Sequence, residues 1–351
     1  MLNKEEQKQY NRHLILEEIG EAGQLKLKQA KVLVIGAGGL GCPILQYLTA
    51  AGVGTIGIVD DDVVDQSNLQ RQILYSMSDI GISKAETAAK RLSGLNPFID
   101  FKVFNEKLTR ENAVSIFKQF DIVVDGSDNF QTRYLCNDAA VLANKSLVYG
   151  AIFKFEGQVT VFNFNNSATY RCLYPTPPGP NEVPNCSEIG VLGVLPGIIG
   201  TLQANEVIKM VCGIGEVLVN KLLVFDALSM RQLVLNYQKT EASEVTNLED
   251  NYDFFCGIIP TENEITLEDL QNNIETYHLL DVREYWEREQ KHIGGQHIPL
   301  GELPNRFAEV LTDKPLVVYC KSGIRSKRAI EFLEDHLTEV SLINLSGGIK
   351  G

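Results

Sequence analysis

This sequence lacks a surplus of positive charge and a long hydrophobic run. Its 351 residues hold 32 lysines and arginines against 45 aspartates and glutamates, a net charge of −13. That balance argues against a broad nucleic-acid-binding surface but leaves room for a small basic pocket. The apolar run 189–199 contains glycines and a proline and is too short to span a bilayer. The polar start MLNKEEQKQYNRHL has no secretory signal, so we expect a cytoplasmic protein without nucleic-acid or membrane partners.

Cysteine is sparse and scattered as well. Seven cysteines, an odd number at wide spacing, argue against a disulfide scaffold. Cys42, Cys136 and Cys212 fall in or at the end of apolar helical patterns and are expected to be small buried side chains. The other four lie near loops or turns: Cys172, Cys186, Cys256 and Cys320.

The stretch Lys31–Gln72 carries most of the information. An apolar run, Val32–Ile35, ends in four glycines: Gly36, Gly38, Gly39 and Gly41. An apolar helical pattern follows, and a second apolar run, Thr55–Val59, ends at Asp60. This order of strand, glycine turn, helix and strand predicts one βαβ unit of a nucleotide-binding fold, in which glycines let the backbone approach a phosphate at a helix N-terminus. Two interpretations of this motif stay open here. The chain could be a dinucleotide dehydrogenase in which Asp60 binds the ribose, or the glycines could serve only the close packing of helix and sheet.

The residues after Asp60 argue against a dinucleotide. They are rich in acids and amides and include an Arg-Gln pair: Asp62, Asp65, Asn68, Gln70, Arg71 and Gln72. A triphosphate needs a cation such as Arg71 at its β- and γ-phosphates. Lys84 opens a predicted helix, 83–94, at the positive end of the helix dipole, which indicates a nearby anion or merely a solvated lysine. Asp60, Asp62 and Asp128 follow predicted strands and are expected to face one crevice.

The remaining pattern predicts an α/β fold with a mixed, mostly parallel sheet. Helices are expected at 5–20, 24–29, 112–120, 132–142 and 196–212, and strands at 99–105, 121–125, 146–150, 157–164 and 221–226. A proline-rich loop, 170–196, contains Cys186. We expect a first domain at 1–240, a linker at 241–263 and a second, small α/β domain at 264–351.

A cysteine loop marks the second domain. The buried strand Leu316–Tyr319 runs into Cys320, a polar loop and Arg325 at a helix start, where loop amides, helix dipole and guanidinium favour a negative sulfur. With LLDVRE (279–284), HIGGQHIPL (292–300) and YCKSGIRS (319–326), this region resembles the rhodanese family of sulfurtransferases. Four residues separate Cys320 from Arg325, one fewer than in related phosphatases, and this implies a persulfide carrier. Because rhodanese domains usually continue through another helix, the resemblance also implies a domain shortened at its C-terminus.

The first domain resembles the MoeB/ThiF family, bacterial relatives of ubiquitin-activating E1 enzymes. The resemblance spans about Tyr10 to Asp226 and rests on YNRHLIL, VIGAGGLGCPILQYLTAAGVG, DDDVVDQSNLQRQ, the Lys84 helix, DGSDN and NCSEIGVLGVLPG. It implies a Rossmann-like E1 domain that uses ATP and Mg²⁺ to adenylate the C-terminal glycine of a small ubiquitin-like sulfur carrier. The implied ATP-binding residues are Gly36, Gly38, Gly39, Gly41, Asp60, Asp62, Asn68, Arg71, Gln72, Lys84 and Asp128.

The family's motifs also imply individual roles. Asp60 binds the ribose, Lys84 acts with Asn68 and Arg71 on the phosphates, and Asp128 helps to hold Mg²⁺.

Two residues outside that set are matched as well. Arg12 is the arginine that family dimers insert into the neighbouring subunit's ATP site, which implies a homodimer. Cys186 matches the crossover-loop cysteine, which in some members links covalently to the carrier. An unreactive loop thiol stays open for Cys186, because no Arg or His beside it favours the thiolate.

The zinc-binding positions depart from the family. It commonly has two C-x-x-C pairs around a structural zinc. Here the first pair ends in Pro175 instead of cysteine, and the second begins with Asp253. Because a proline side chain cannot ligate and three ligands are too few for a closed site, we expect no structural zinc.

Together the resemblances imply a two-step enzyme with six catalytic residues: Arg12, Arg71, Asp128, Cys186, Cys320 and Arg325. After adenylation, persulfide sulfur on Cys320 attacks the acyl-adenylate, directly or through Cys186, to give a thiocarboxylate. The implied partners are a carrier ending in Gly-Gly and a persulfide donor such as a cysteine desulfurase. The rhodanese fusion favours a MoaD-like carrier of molybdenum-cofactor biosynthesis, while ThiS-like and tRNA-thiolation carriers stay open. A nucleotide-binding scaffold without turnover and a dehydrogenase are alternatives of other classes.

Overall fold

The computed structural model describes residues 1–178, 190–256, 264–337 and 340–349. Their contacts divide the chain into two compact units, Met1–Ile258 and Ile259–Gly351. Each unit is built around its own β-sheet.

The sheet of the first unit has eight strands: β1 (Lys31–Ile35), β2 (Thr55–Val59), β3 (Asp100–Phe104), β4 (Ile122–Asp125), β5 (Ser146–Phe153), β6 (Glu156–Phe162), β7 (Lys221–Asp226) and β8 (Arg231–Asn236). Their spatial order is β3-β2-β1-β4-β5-β6-β7-β8. Strands β3 to β5 in that order pair in parallel, and β6, β7 and β8 continue the sheet antiparallel. The predicted mixed, mostly parallel sheet is confirmed.

Helices cover both faces of this sheet. They are α1 (Lys4–Gln9), α2 (Asn11–Leu14), α3 (Gly20–Gln29), α4 (Gly41–Ala51), α5 (Lys84–Leu95), α6 (Ala113–Phe117), α7 (Phe130–Leu142), α8 (Tyr170–Leu173), α9 (Leu195–Cys212) and α10 (Tyr252–Phe255). Successive residues of a strand point to opposite faces, so Val32 and Val34 join one hydrophobic core while Leu33 and Ile35 join the other. Within the described ranges, no helix combines the length and the apolar character that a membrane crossing requires.

The N-terminal segment differs from the single helix predicted over 5–20. Helix α1 ends before Tyr10, which is buried and whose hydroxyl accepts a hydrogen bond from Asn96 Nδ2 at 2.8 Å. The chain bends there to seat the ring, and α3 begins at Gly20, four residues before the predicted start at Gln24. The predicted apolar face is also wrong in part, because Ile15 is 61% exposed.

The segment predicted as a linker packs closely over its described part, 241–256. The α10 residues Tyr252 and Phe255 and the neighbouring Cys256 join the core formed with α7. The Tyr252 hydroxyl donates to the fully buried carboxylate of Asp138 at 2.7 Å. Residues 241–256 therefore belong by their contacts to the first unit, and residues 257–263 lie outside the described part of the chain.

An ion-pair cluster centred on Arg171 holds this segment. Arg171 Nε and Nη2 each lie 2.7 Å from a carboxylate oxygen of Asp138, and Nη2 lies 2.9 Å from Glu249. The guanidinium also lies over the rings of Tyr134 and Phe255. These contacts join helices α7 and α8 to residues 249–255.

The second unit contains a parallel sheet: β9 (Glu264–Ile265), β10 (His278–Asp281), β11 (Gln296–His297), β12 (Leu316–Tyr319) and β13 (Leu342–Leu345). Its order is β11-β10-β12-β13-β9. The helices of this unit are α11 (Leu267–Asn272), α12 (Tyr285–Gln290), α13 (Leu303–Arg306) and α14 (Ile324–Glu334). A second, small α/β unit is thus confirmed, and Cys320 directly follows its central strand, β12.

Candidate active sites

A cavity of about 630 Å³ opens at the carboxyl ends of β1, β2 and β4. Its walls include ten of the eleven residues predicted for ATP: Gly36, Gly38, Gly39, Asp60, Asp62, Asn68, Arg71, Gln72, Lys84 and Asp128. This volume is typical of a pocket for a small molecule. The expected crevice with Asp60, Asp62 and Asp128 is therefore present, while the binding roles of these residues stay predictions.

The glycines of the β1–α4 turn divide into two kinds. Gly36 has φ +85°, and a Cβ on Gly41 would lie only 2.0 Å from the Gly36 carbonyl oxygen. Gly41, the eleventh predicted residue, does not line the cavity and serves the close packing of the turn. Gly38 and Gly39 face the cavity, so their backbone is the part that can approach a phosphate.

Asp60 is tied to the glycine turn. Its carboxylate accepts hydrogen bonds from the backbone N–H of Ala37 at 2.7 Å and of Asp62 at 2.9 Å. Burial raises the pKa of Asp60, while the Ala37 N–H and the nearby Lys84 act against that rise. These bonds hold the carboxylate at the rim of the cavity, where a ribose hydroxyl can donate to it.

Lys84 reaches the same cavity from the start of α5. The hydroxyl of Ser83 caps this helix by accepting the N–H of Glu86 at 3.4 Å. The Lys84 side chain is only 7% exposed, and its Nζ lies 2.8 Å from a carboxylate oxygen of Asp62, which is 71% exposed. The cation at the positive end of the helix therefore has a carboxylate partner that faces solvent. An entering phosphate can compete with that partner for the ammonium group.

Arg71 and Gln72 lie beside the two cavity-facing glycines. A Cβ on Gly39 would come within 3.7 Å of Arg71 Cδ, and one on Gly38 within 3.5 Å of Gln72 Nε2. Gln72 is 3% exposed, and its Oε1 has no hydrogen-bond partner within the described residues. A buried amide oxygen without a partner is costly, so a donor from a ligand would relieve it.

The turn after β4 presents Asp128. The buried Asp125 shapes this turn by accepting the N–H and the hydroxyl of Ser127 at 2.9 and 2.6 Å. Burial raises the pKa of Asp125, and the nearby Arg133 acts against that rise. Asp128 itself is exposed, faces the cavity and can offer its carboxylate to a cation.

Several walls of the cavity were missed by the sequence analysis. Among them are Glu106, Lys107 and Leu108 after β3, and Ile152 and Val191 on the opposite side. The only signal for the first three was their position at the end of a parallel strand. Nothing in the local residue types marked them as cavity residues.

Two predicted residues lie elsewhere. Arg12 is exposed on α2 and does not line the cavity of its own chain. Cys186 lies outside the described residues.

The zinc positions are also occupied by other interactions. The sulfur of Cys172 accepts the backbone N–H groups of Thr169 and Thr240, both at 3.4 Å. Burial raises the pKa of Cys256 to about 12, which favours its neutral thiol. Among the described residues, no cluster of three or more His, Cys, Asp or Glu is arranged to hold a metal.

The second unit has its own candidate site at Cys320. Its sulfur is fully buried and accepts the N–H of Gly323 at 3.1 Å, while Ser326 Oγ lies 3.5 Å away. Gly323 has φ +87°, which turns the loop back over the sulfur. This amide and the start of α14 are the groups that can stabilise a negative sulfur here.

Arg325 has a partner that the sequence analysis missed. Its two terminal nitrogens form a bidentate pair with Glu287 on α12, at 2.6 and 2.7 Å. This pairing raises the pKa of Arg325 and lowers that of Glu287. The Glu287 carboxylate thus balances much of the Arg325 charge, which weakens the effect of that charge on Cys320.

Comparisons with known proteins cover both units. A family model described as the ThiF family matches residues 10–247, and one described as a rhodanese-like domain matches residues 266–351. The chain is 43% identical to the probable adenylyltransferase/sulfurtransferase MoeZ of Mycobacterium tuberculosis, over 99% of this chain and 93% of that protein. It is 48% identical to the sulfur carrier protein adenylyltransferase of Thermus thermophilus, over 73% of this chain and 98% of that protein. The crystal structure of E. coli MccB with MccA-N7isoASN has a TM-score of 0.57 at 23% identity, over 67% of this chain and 69% of that one, which shows a shared fold.

Proposed function

This chain belongs to the ThiF family and carries a C-terminal rhodanese-like domain, and we propose that it activates and then sulfurates a small carrier protein. It is an adenylyltransferase joined to a sulfurtransferase domain. In the first step it adenylates the carrier's C-terminal glycine with ATP. In the second step it delivers sulfur from Cys320. A MoaD-like carrier is the preferred substrate, with ThiS-like or tRNA-thiolation carriers as alternatives, and a cytoplasmic location stays a prediction.

The observation that carries the first step is the composition of the cavity walls. Backbone groups of Gly38 and Gly39 face the same space as the cations of Arg71 and Lys84. Asp60 supplies an acceptor for ribose hydroxyls on the β2 side. A triphosphate fits this arrangement because its phosphates need amides and cations, while its ribose needs an acceptor.

Mg²⁺ fits the site in a limited way. Asp128 lines the cavity with an exposed carboxylate, and a magnesium ion usually takes one or two carboxylates together with substrate phosphates and waters. When bound, Mg²⁺ would withdraw charge from the phosphates. Asp128 would hold it, and Arg71 and Lys84 would bind the remaining phosphate oxygens.

The chemistry of the first step follows from charge. The carrier's terminal carboxylate attacks the α-phosphorus, the bond to the bridging oxygen breaks, and pyrophosphate leaves with the electron pair. Two anions approach each other in this step, so the cations of Arg71 and Lys84 lower its barrier by balancing the charge that moves to pyrophosphate. The product is an acyl-adenylate that still occupies the cavity.

An exposed apolar surface beside the cavity supports a protein substrate. Six side chains, each between 37% and 71% exposed, lie on three neighbouring segments: Phe153, Phe155, Leu192, Val194, Leu228 and Met230. The segments touch, because Leu192 N–H donates to the Lys154 carbonyl and Ala227 N–H to the Phe155 carbonyl. The cavity residues Ile152 and Val191 adjoin this surface in the chain. A carrier seated here could extend its C-terminal tail into the cavity.

A second copy of the chain is expected to complete the site. Arg12 is exposed beside Ile15 and Leu16, which are 61% and 47% exposed. An exposed arginine next to exposed apolar side chains is typical of an interface between protein chains. We propose a homodimer in which each Arg12 reaches the phosphates of the partner.

The second step transfers sulfur from Cys320 to the activated carrier. A persulfide donor, such as a cysteine desulfurase, first loads Cys320 with a sulfane sulfur. That terminal sulfur attacks the acyl-adenylate carbonyl and expels AMP, so carrier and Cys320 become joined through an acyl disulfide. A thiol, from Cys186 or a small thiol reductant, then attacks the Cys320 sulfur, forms a disulfide with it and releases the thiocarboxylate. A further thiol reduces that disulfide and returns Cys320 to its thiol. The N–H of Gly323, which donates to Cys320 Sγ at 3.1 Å, helps to hold this sulfur in place during the transfer.

ATP–pyrophosphate exchange tests the first step. The wild-type chain is incubated with ATP, labelled pyrophosphate and candidate carriers that end in Gly-Gly. We expect exchange with one carrier and its loss in Asp128→Ala. No exchange with any such carrier, together with unchanged ATP binding by Asp128→Ala, would contradict the proposed adenylation. It would favour the alternative of a nucleotide-binding scaffold without turnover.

A further inference from the structure

The turn that follows β3 is held by one side chain, that of Asn112. Its Oδ1 accepts the Thr109 N–H at 2.8 Å, and its Nδ2 donates to the Lys107 carbonyl at 2.9 Å and to the Glu106 carboxylate at 3.2 Å. Asn112 stands at the N-cap position of α6, yet its side chain makes no capping bond to that helix. The amide is thus committed to residues 106–109 instead.

This turn forms the end wall of the nucleotide cavity. Glu106, Lys107 and Leu108 line the same space as Asp60. The strand order runs from β1, with the glycine turn, through β2, with Asp60, to β3. Neighbouring strands lie about 4.8 Å apart, so the end of β3 lies roughly 10 Å from the phosphate-facing glycines. In a nucleotide, that places the base at residues 106–108 when the ribose is at Asp60.

Leu108 carries the groups that a base would meet. The residue is buried, 7% exposed, and lines the cavity. Within the described part of the chain, neither its backbone N–H nor its carbonyl takes part in a hydrogen bond. A free amide and carbonyl beside an apolar side chain can pair with the N1 acceptor and the N6 donor of adenine, and they mismatch the N1 donor and O6 acceptor of guanine.

We propose that Asn112 is a positioning residue that sets the preference for adenine by holding the 106–109 turn in register with the base. This inference rests on the proposed use of ATP, and it assigns no contact between Asn112 and the nucleotide. Loss of the Asn112 bonds leaves the Leu108 backbone free to shift, which weakens adenine binding and removes the mismatch with guanine.

The test measures equilibrium binding of ATP and of GTP by the full-length protein, which needs no carrier. Asn112→Ala removes all three bonds, and Asn112→Asp keeps the acceptor for Thr109 N–H but loses both donors. We expect the ATP dissociation constant to rise about tenfold in Asn112→Ala, with the ratio of ATP to GTP affinity falling by a similar factor. Ser115→Ala is the matched control, because its exposed hydroxyl bonds only the Asn112 carbonyl on the helix side.

A second readout separates positioning from general stability. In pyrophosphate exchange, the variants should show a raised KM for ATP with nearly unchanged kcat, because the phosphates and Asp128 stay in place. Unchanged affinity and unchanged nucleotide preference in a folded Asn112→Ala or Asn112→Asp protein would overturn the proposal. Absence of exchange in the wild type would instead count against the proposed function, while the binding data still decide the role of Asn112.

Discussion

Replacement of Lys84 by methionine separates chemistry from stability more cleanly than any other change in the cavity. The side chain is 7% exposed, and among the described residues its ion pair is with Asp62, which is 71% exposed. Lys84→Met keeps the apolar stem and removes the ammonium group. The Asp62 carboxylate left behind faces solvent, so the loss of this ion pair costs about 0–1 kcal/mol of folding free energy. The more buried Asp60, which also lies near Lys84, keeps its hydrogen bonds from the N–H groups of Ala37 and Asp62.

The catalytic cost should be much larger. A cation placed where charge develops contributes about 2–4 kcal/mol to the transition state, so pyrophosphate exchange should fall roughly 30- to 1000-fold. Lys90 is an exposed lysine on the same helix, and Lys90→Met is the matched control with exchange near that of the wild type. Exchange and thermal melting are measured on the same preparations. Wild-type exchange in Lys84→Met, or a loss of melting temperature large enough to account for the lost activity, would refute this reasoning.

Two further predictions concern stability. Arg171→Met leaves the Asp138 carboxylate buried without its cation and should cost about 3 kcal/mol, whereas Arg110→Met, which removes a pair with the exposed Asp250, should cost under about 1 kcal/mol. Equal thermal melts of the two variants would contradict the role of Arg171. A melting temperature that a chelator lowers in the wild type would contradict the expectation of no structural zinc. Asp281 pairs with Arg283, and although burial alone would raise the pKa of Asp281, those bonds hold it below the ordinary value. Its stabilisation should therefore be full above about pH 4 and disappear as pH falls through the folded-state pKa, and Asp281→Asn should flatten that dependence. Fluorescence of the single tryptophan, which lies in α12 of the same unit, follows this transition, and an equal acid dependence in both proteins would argue against the assignment.

Short-range patterns made the cavity at the carboxyl ends of β1, β2 and β4 predictable. The apolar run, the glycines and Asp60 are contiguous in sequence, and the sterics of glycine and the period of a helix leave few other structures for them. Lys84 was found because a cation at a helix N-terminus is anomalous, and the structure supplies its partner, Asp62. Parallel strands then place Asp128 at the same edge although it lies far along the chain.

Long-range packing was not predictable in the same way. The linker looked polar and acidic, but Tyr252 and Glu249 meet a carboxylate and a cation from α7 and α8, and no local pattern encodes that pairing. The break at Tyr10 depends on Asn96, which lies 86 residues away. The role of Arg12 rests on a second copy of the chain, which one sequence implies only through its resemblance to a family.

Two groups near Cys320, the Arg325 guanidinium and the Gly323 amide, have different partners in the structure. The sequence pointed to Arg325 as the cation beside Cys320, whereas the structure pairs that guanidinium with Glu287 and leaves the Gly323 amide on the sulfur. We therefore expect a persulfide on Cys320 to depend first on the backbone of the loop. A substitution that preserves the loop but changes Arg325 should therefore reduce sulfur transfer less than the loss of Cys320.

The most direct test of the whole proposal is the mass of the carrier after one turnover. The full chain is loaded with persulfide, mixed with ATP, a Gly-Gly carrier and a thiol reductant, and the carrier is weighed by mass spectrometry. We predict the exchange of one carrier oxygen for sulfur with the wild type, and with Cys320→Ala an acyl-adenylate that gains no sulfur. Sulfur on the carrier in the Cys320→Ala reaction, or no adenylate in either reaction, would contradict the assignment of two successive steps to this chain.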